Sequence, residues 1–327
     1  MAQSLFMKLK KRYSTMALDV LTPAWSKPLL EFMPEVRDAI TMPVGHGELQ
    51  LAARYRLGRS LRQRHYDWAI LLPNSLKSTL VPFWATIPVR TGYRGEMRYG
   101  LLNDVRVLDK RALPMTVQRF VALGLPKTTT IPPAFTYPHI TVSTDIMAAV
   151  IDKFNLKQES PVLALCPGAE YGPAKRWPSI HYAALAGAKL REGWQVWVLG
   201  SEKDRFVATE ICDLAGNRVN NMAGKTSLQE AIALLASSNA VVTNDSGLMH
   251  ISAALGTPLV AVYGSSDPGF TPPLSNHATV VRLGLDCSPC FQRQCPLGHM
   301  RCLRDVSPSH VIEALDQIVQ RVTLASN

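Results

Sequence analysis

Long apolar runs are missing from this sequence. No stretch approaches the roughly 18 to 20 consecutive apolar residues that a membrane-spanning helix needs. The segment from Met1 to Tyr13 lacks the apolar core and cleavage site of a secretory signal. Internal repeats and low-complexity segments are also missing. These absences argue against a transmembrane protein and a repeat array, and we expect a soluble protein of the cytoplasm.

The charge is unevenly distributed. Residues 1–150 carry 20 Lys and Arg against 10 Asp and Glu, whereas residues 151–327 carry 15 of each, so the whole net charge of +10 comes from the first half. A basic half suggests an anionic partner such as a nucleic acid, an acidic membrane face or a phosphorylated substrate, and a merely solvated basic surface is the alternative. No nucleic-acid reader motif occurs there, so we do not expect a nucleic-acid partner.

The second half alternates between short apolar runs and helical patterns. Strands are predicted at 161–166, 195–200, 219–224, 240–243 and 258–264, and helices at 179–192, 204–216, 227–239 and 247–255. Ser227 and Glu230 have the spacing of a capping box, and Gly256 is predicted to end its helix. Strands that alternate with helices of this length are typical of βαβ units around a parallel sheet.

The first half shows the same alternation less clearly. Strands are predicted at 17–22, 39–43 and 67–73, and helices at 2–13, 24–33, 49–64 and 76–86. The length favours two α/β domains, which we predict at 1–155 and 156–327, with the connection near 136–160. The first domain opens with an amphipathic helix and lacks the central first strand of a doubly wound sheet; a domain that simply begins with a helix is the alternative.

Four of the six cysteines form a cluster: Cys287, Cys290, Cys295 and Cys302. The other two, Cys166 and Cys212, lie in apolar stretches and are predicted to be reduced and buried. Four thiolates, with His299 among them, suffice for a structural zinc site. Only the first Cys-x2-Cys spacing resembles a standard zinc motif, so four reduced cysteines in a loop are the alternative.

Polar residues follow the predicted strands of the second half, at the edge where open α/β sheets bind ligands. After strand 240–243, Asp245 or Ser246 can cap the next helix, and Gly247 lets a ligand approach the helix N–H groups, which suits a phosphate. His250 lies one turn further on the same face. An ordinary N-cap beside a buried histidine is the alternative.

Two more charged residues follow predicted strands of the second half. Lys175 follows strand 161–166, and a cation facing an anion-binding helix terminus is what a diphosphate requires, although an isolated lysine is usually a solvated surface charge. Asp204 follows strand 195–200, where nucleotide-binding folds place an acid that accepts hydrogen bonds from a ribose. A helix N-cap is the alternative for Asp204.

Several segments together resemble one enzyme family: "LPNSLKS" (72–78), "RTGYRGEMRYGLLNDVRVLDK" (90–110), "CPGAEYGPAKRWP" (166–178) and "NDSGLMH" (244–250). They are similar, over nearly the whole chain, to the bacterial ADP-heptose:lipopolysaccharide heptosyltransferases of glycosyltransferase family 9. The resemblance implies the GT-B fold, in which two Rossmann-like domains face each other across a cleft. It also implies that the C-terminal domain binds the nucleotide sugar and the N-terminal domain the lipid acceptor.

Carried over by position, the resemblance implies these contacts with ADP-heptose: Glu170, Lys175, Asp204, Thr226, Asp245, Ser246, Gly247 and His250. Among them, Lys175 and Asp245 are the predicted catalytic residues. The implied acceptor is an anionic lipopolysaccharide precursor, Kdo2-lipid A with its first heptose, at the inner face of the inner membrane. Its predicted contacts are Lys77, Arg94, Glu96 and Arg98. The implied reaction is an inverting heptose transfer that requires no cofactor.

The sequence departs from the family pattern at the segment where the general base is expected. Family members usually begin with an apolar strand and a glycine-containing loop that ends in an aspartate, the favoured base, and "MAQSLF" aligns just after that loop. We therefore expect a misassigned start site or a truncated form with impaired catalysis. Glu96 and Asp104 lie in the right half, but either fits a structural role. A nucleotide-sugar epimerase and a donor-binding protein without catalysis are the alternative functions.

Overall fold

The chain forms two compact units. The computed structural model describes residues 1–45, 47–127, 132–216 and 218–326, and the two units are Met1–Thr136 and Tyr137–Asn327. The boundary therefore lies earlier than the predicted 155/156. The reason is that the segment before 156 bonds to the second unit: Ile140 N–H donates to the Ala254 carbonyl at 3.0 Å, and Lys153 pairs with Glu230 at 2.5 Å.

The described part of the first unit contains helices and short parallel strands. Its helices are α1 (Ala2–Arg12), α2 (Lys27–Leu30), α3 (Leu51–Leu61), α4 (Leu80–Trp84) and α5 (Thr116–Leu123). Its strands are β1 (Asp19–Pro23), β2 (Asp38–Met42), β3 (Trp68–Leu71), β4 (Val89–Tyr93) and β5 (Asp104–Arg106). They form two parallel sheets, β1–β2 and β3–β4–β5. One apolar cluster, built on Leu61 and Val81, contacts Leu21 of β1 and Ala69 of β3, so α3 and α4 cover both sheets.

Helix α1 is amphipathic, as predicted. Leu5, Phe6 and Leu9 are buried, and α1 packs against α5. The close approach depends on Gly124, because a Cβ at this position would lie 2.6 Å from Leu5. The order of helix and then strand matches the sequence pattern; the lack of a first strand stays a prediction.

The second unit alternates between strands and helices. Its helices are α6 (Thr144–Lys153), α7 (Ser179–Arg191), α8 (Arg205–Ala215), α9 (Leu228–Ala236), α10 (Gly247–Leu255), α11 (Arg301–Arg304) and α12 (Pro308–Ser326). Its strands are β6 (Val162–Cys166), β7 (Gln195–Val198), β8 (Val219–Asn221), β9 (Ala240–Asn244), β10 (Leu259–Val262) and β11 (Ala278–Val281). All elements predicted for this half are present, and the Ser227–Glu230 capping box and the helix end at Gly256 are confirmed. The α/β class with parallel sheets is confirmed as well.

The six strands of the second unit form one parallel sheet in the order β11-β10-β9-β6-β7-β8. From β6 the chain runs outward through β7 to β8, then returns to the other side of β6 and runs outward through β9, β10 and β11. Such a reversal of strand order opens a crevice at the carboxyl ends of the two strands that flank it. The loops that follow β6 and β9 are therefore the candidate ligand-binding loops.

The described helices include none that is both long enough and apolar enough to cross a bilayer.

Candidate functional site

The loop that follows β6 is fixed to the end of β9 by one buried amide. Asn244 is 0% exposed; its Oδ1 accepts hydrogen bonds from the Trp177 N–H at 3.0 Å and the Tyr182 hydroxyl at 3.1 Å. Its Nδ2 donates to the Pro167 carbonyl at 2.6 Å. Because both ends of the 167–177 loop bond to this amide, the loop is held over the crevice.

Lys175 and Asp245 meet at this point. The lysine lies in a single 3-10 turn, Pro173–Lys175, and its Nζ is 2.5 Å from the Asp245 Oδ2. The side chains are only 17% and 5% exposed, respectively. The ammonium also lies 5.0 Å from the centre of the Tyr171 ring. The structure therefore brings together the two residues predicted to be catalytic, and it gives the buried carboxylate a cation partner.

The N-terminus of α10 begins beside this pair. Ser246 is the N-cap and accepts a hydrogen bond from the Met249 N–H at 3.4 Å. A Cβ at Gly247 would meet no atom within 4 Å, so space is open next to the first turn. The first N–H groups of a helix have no intrahelical acceptor and carry partial positive charge. An anion at this terminus would have Lys175 as its nearby cation. His250 lies half-buried, one turn further along α10.

The remaining predicted donor residues lie in different surroundings. Asp204 is 9% exposed, and its Oδ2 accepts from the backbone N–H and the hydroxyl of Ser201 at 2.9 and 2.7 Å. Asp204 is thus the third residue of a capping box whose N-cap is Ser201, and its side chain does not cap α8 as the N-cap alternative would require. Glu170 is exposed and pairs with Lys203 at 2.5 Å. Thr226 is half-buried in the loop between β8 and α9. Their contacts with a donor stay predictions.

Arg98 is not available as a surface contact, contrary to the sequence-based expectation. It is 2% exposed, and its guanidinium donates to the Pro73 carbonyl at 2.8 Å, to the Asn74 side chain at 3.2 Å and to the Tyr93 carbonyl. These acceptors lie after β3 and at the end of β4. Arg98 therefore stabilises the loops of the first unit instead of facing a ligand.

The other candidates in the first unit remain near the surface. Arg94 and Glu96 are exposed and Lys77 is half-buried. Glu96 accepts a hydrogen bond from the Leu76 N–H at 2.7 Å. Asp104 accepts from Arg106 at 2.7 Å and from the Thr91 hydroxyl at 2.8 Å, and the Arg106 hydrogen bond lowers the pKa of this carboxyl. A carboxylate held in this way is a weak base, so Asp104 fits the structural role.

Sequence reasoning missed three groups at the site. Asn244 was visible as a polar residue at a strand end, but its bonds depend on the folded loop. Ser265 and Ser266, after β10, are 1% and 6% exposed, and their hydroxyls have no hydrogen-bond partner within the described structure. The signal available for them was the position of "GSSDP" directly after a buried strand.

The second unit combines a parallel sheet of reversed strand order with an open helix N-terminus and a lysine beside it. These features define a class of α/β proteins that bind phosphorylated ligands at the carboxyl edge of the sheet. Comparison with known families is more specific. The family described as glycosyltransferase family 9 (heptosyltransferase) matches residues 54–301. The chain belongs to this family, and the resemblance noted from its motifs is confirmed.

Individual relatives cover nearly the entire chain. Lipopolysaccharide heptosyltransferase 2 of Salmonella typhimurium is 48% identical over 98% of this chain and 94% of its own. Lipooligosaccharide heptosyltransferase 2 of Haemophilus influenzae is 46% identical over 98% and 96%. Among solved structures, the E. coli ADP-heptose lps heptosyltransferase II matches with a TM-score of 0.88 and 45% identity, covering 98% of this chain and 95% of that one.

Proposed function

We propose that this protein transfers a heptose from ADP-heptose to the first heptose of the lipopolysaccharide inner core. The names of the relatives at 46% and 48% identity support this activity, and the name of the similar solved structure supports the donor. The structural observation that carries the proposal is the Lys175–Asp245 pair at the N-terminus of α10, because a nucleotide diphosphate needs a cation and free N–H groups at one place.

The proposed reaction is a single displacement with inversion. The acceptor hydroxyl attacks the anomeric carbon and gives up its proton to a base or to solvent, the bond from this carbon to the diphosphate breaks on the opposite face, and ADP leaves with the electron pair. Negative charge grows on the diphosphate as the bond breaks. Lys175 and the first N–H groups of α10 are already in position to stabilise this charge. Electrostatic stabilisation by groups positioned in advance is usually the largest single contribution to lowering an activation barrier. Asp245 keeps the ammonium in place and can accept a hydrogen bond from the sugar.

The proposed acceptor is Kdo2-lipid A that carries its first heptose. This molecule bears phosphates and carboxylates, and the first 150 residues hold 20 Lys and Arg against 10 Asp and Glu. Such an excess attracts an anionic acceptor and an anionic membrane face over distances up to a Debye length, about 8 Å at physiological ionic strength. We place the protein at the inner face of the inner membrane on this basis.

The test is a turnover assay with ADP-heptose and the heptosylated Kdo2-lipid A. We expect ADP release together with an acceptor that gains the mass of one heptose, and a higher melting temperature with ADP than with UDP. A larger shift with UDP would favour the epimerase alternative. Tight binding of ADP-heptose without turnover, by this chain and by a form extended upstream, would favour a binding protein and overturn the proposal.

A further inference from the structure

Two groups of residues lie outside the proposed reaction. One is the set of free thiols at Cys287, Cys290, Cys295 and Cys302. Among the described residues, no three His, Cys, Asp or Glu side chains stand in metal-binding positions, so the arrangement of these cysteines does not support a metal site, and zinc there stays a prediction. The other group is a set of arginines in the first unit, on α3 and on the 3-10 turn Arg62–Arg64 that follows it.

The arginines give this part of the chain a strong positive charge. Segment 49–66 contains five arginines and no aspartate or glutamate, so it carries half of the net charge of +10. Two of the five have structural partners: Arg54 is 5% exposed and donates to backbone carbonyls, and Arg64 forms ion pairs at 3.0 and 3.7 Å. The other three are exposed and pair with no acidic side chain in the part of the chain that the structure describes: Arg56, Arg59 and Arg62.

Aromatic side chains lie among the three unpaired arginines. Tyr55 and Phe83 are 42% and 40% exposed. The rings of Tyr55 and Trp84 meet edge to face with their centres 5.5 Å apart, and the Arg59 guanidinium lies 5.9 Å from the centre of the Tyr55 ring. The Arg62 Nε donates to the Trp84 carbonyl at 2.8 Å, which leaves its other N–H groups for a partner. The surface formed in this way, the α3–α4 face, consists of Tyr55, Arg56, Arg59, Arg62, Phe83 and Trp84.

Close packing fixes the α3–α4 face within the first unit. A Cβ at Gly58 would lie 2.7 Å from the Trp84 Cβ and 2.9 Å from the Val81 carbonyl oxygen, so α3 and α4 are in direct contact. On the buried side of α3, the Arg54 guanidinium donates to the Lys77 carbonyl at 3.3 Å. The face is therefore held at a fixed position relative to the loop after β3, which carries the predicted acceptor contact Lys77.

From these observations we infer that the α3–α4 face binds the protein to an anionic lipid bilayer. Unpaired cations attract acidic lipid headgroups, and aromatic side chains are enriched at the boundary between headgroups and acyl chains. The apolar side of α3 is buried in its own unit, so binding involves the headgroup region and the exposed rings. The inference rests on the proposed function in one respect: its acceptor is a membrane lipid, which favours a bilayer over a nucleic acid, another polyanion that cations and rings can bind.

Flotation with lipid vesicles tests the face without reference to turnover. The unmodified chain should bind vesicles of phosphatidylglycerol and phosphatidylethanolamine at about 0.1 M salt, should not bind pure phosphatidylcholine, and should be released at about 1 M salt, where the Debye length falls to about 3 Å. Brominated lipids should quench the emission of Trp84, which is measured as the difference between the parent and Trp84→Phe.

Paired substitutions identify the cations that bind. Arg56→Gln combined with Arg59→Gln should weaken vesicle binding about 25-fold, because each cation near an anionic membrane contributes about fivefold. Arg56→Lys combined with Arg59→Lys keeps the charge and should bind as the parent does. Lys157→Gln combined with Arg191→Gln removes the same charge from exposed positions of the second unit and is the matched control, for which we expect unchanged binding.

Several results would overturn the inference: no binding by the unmodified chain, equal binding to neutral and anionic vesicles, tighter binding to DNA at the same salt, or parental affinity in the glutamine variant. Absence of Trp84 quenching would overturn it as well, and this measurement does not depend on the folding of the glutamine variant. Turnover of a deacylated acceptor without vesicles separates the inference from the proposed function. This turnover should be unchanged in the glutamine variant, and its loss would assign the face to the acceptor site instead. Vesicle binding without any turnover by the parent would contradict the proposed function alone.

Discussion

Replacing Lys175 by methionine should separate two contributions of this residue, one to stability and one to binding. The Lys175–Asp245 pair is 2.5 Å long, and its carboxylate is 5% exposed. Removing one partner of a fully buried pair costs about 3 to 5 kcal/mol. Because Lys175 itself is 17% exposed, water can reach the site, and we expect a loss of about 2 kcal/mol. Urea unfolding measures it.

The double variant Lys175→Met, Asp245→Asn distinguishes the two contributions. It removes the unpaired charge, so most of the lost stability should return. The affinity for ADP should not return, because a hydrogen bond from a charged donor contributes about 1.5 to 3 kcal/mol, which corresponds to roughly 10- to 150-fold in Kd. Titration calorimetry with ADP measures this effect, and Lys157→Met, at an exposed position of the same unit, is the control. Unchanged ADP affinity in Lys175→Met would refute the donor site.

Two further predictions concern residues that hold the loops. Asn244→Ala removes three buried hydrogen bonds and should lower the free energy of unfolding by about 3 kcal/mol; a loss below about 1 kcal/mol in urea unfolding would contradict its anchoring role. The Arg106 hydrogen bond lowers the pKa of Asp104 in the folded protein. The stability that this bond contributes is therefore present above the ordinary Asp pKa near 3.9, and it is lost as the pH falls through the lower pKa of the folded state. The stability difference between the parent and Asp104→Asn should therefore be larger at pH 7 than near pH 3, and equal differences would contradict the assignment.

The strand and helix order of the second unit was predictable because its elements are long and periodic. Strand β6 is an uninterrupted apolar run and β9 begins with one, as fully buried parallel strands do, and the helices between them keep a period near 3.6. Strands β5 and β11 were not predicted; they are mostly half-buried and lack the continuous apolar run that made β6 recognisable. The proximity of Lys175 and Asp245 was predictable, although the two residues are far apart in sequence, because ligand-binding residues of open α/β sheets follow the carboxyl ends of the strands.

Individual side chains were less predictable than the elements that carry them. A charged residue is almost never fully buried, so the sequence favoured an exposed Arg98. Its burial depends on carbonyl groups of two separate loops, which only the folded chain brings within hydrogen-bond distance. Asp204 was compatible with two roles, and in the structure its carboxylate accepts hydrogen bonds from Ser201. In both cases the hydrogen-bond partners include backbone groups, whose positions a residue pattern does not encode.

The loop that carries Lys175 contacts segment 282–300, which contains Cys287, Cys290 and Cys295, and this contact has a consequence for sequence variation. The bonds that form it use the carbonyl groups of Phe291 and Arg293, the N–H of Ala174 and the Tyr171 hydroxyl, so most side chains there other than Tyr171 can change without breaking it. An inserted or deleted residue between Cys290 and Cys295 would instead shift every carbonyl along the contact. The segment should therefore tolerate replacement more readily than a change in its length.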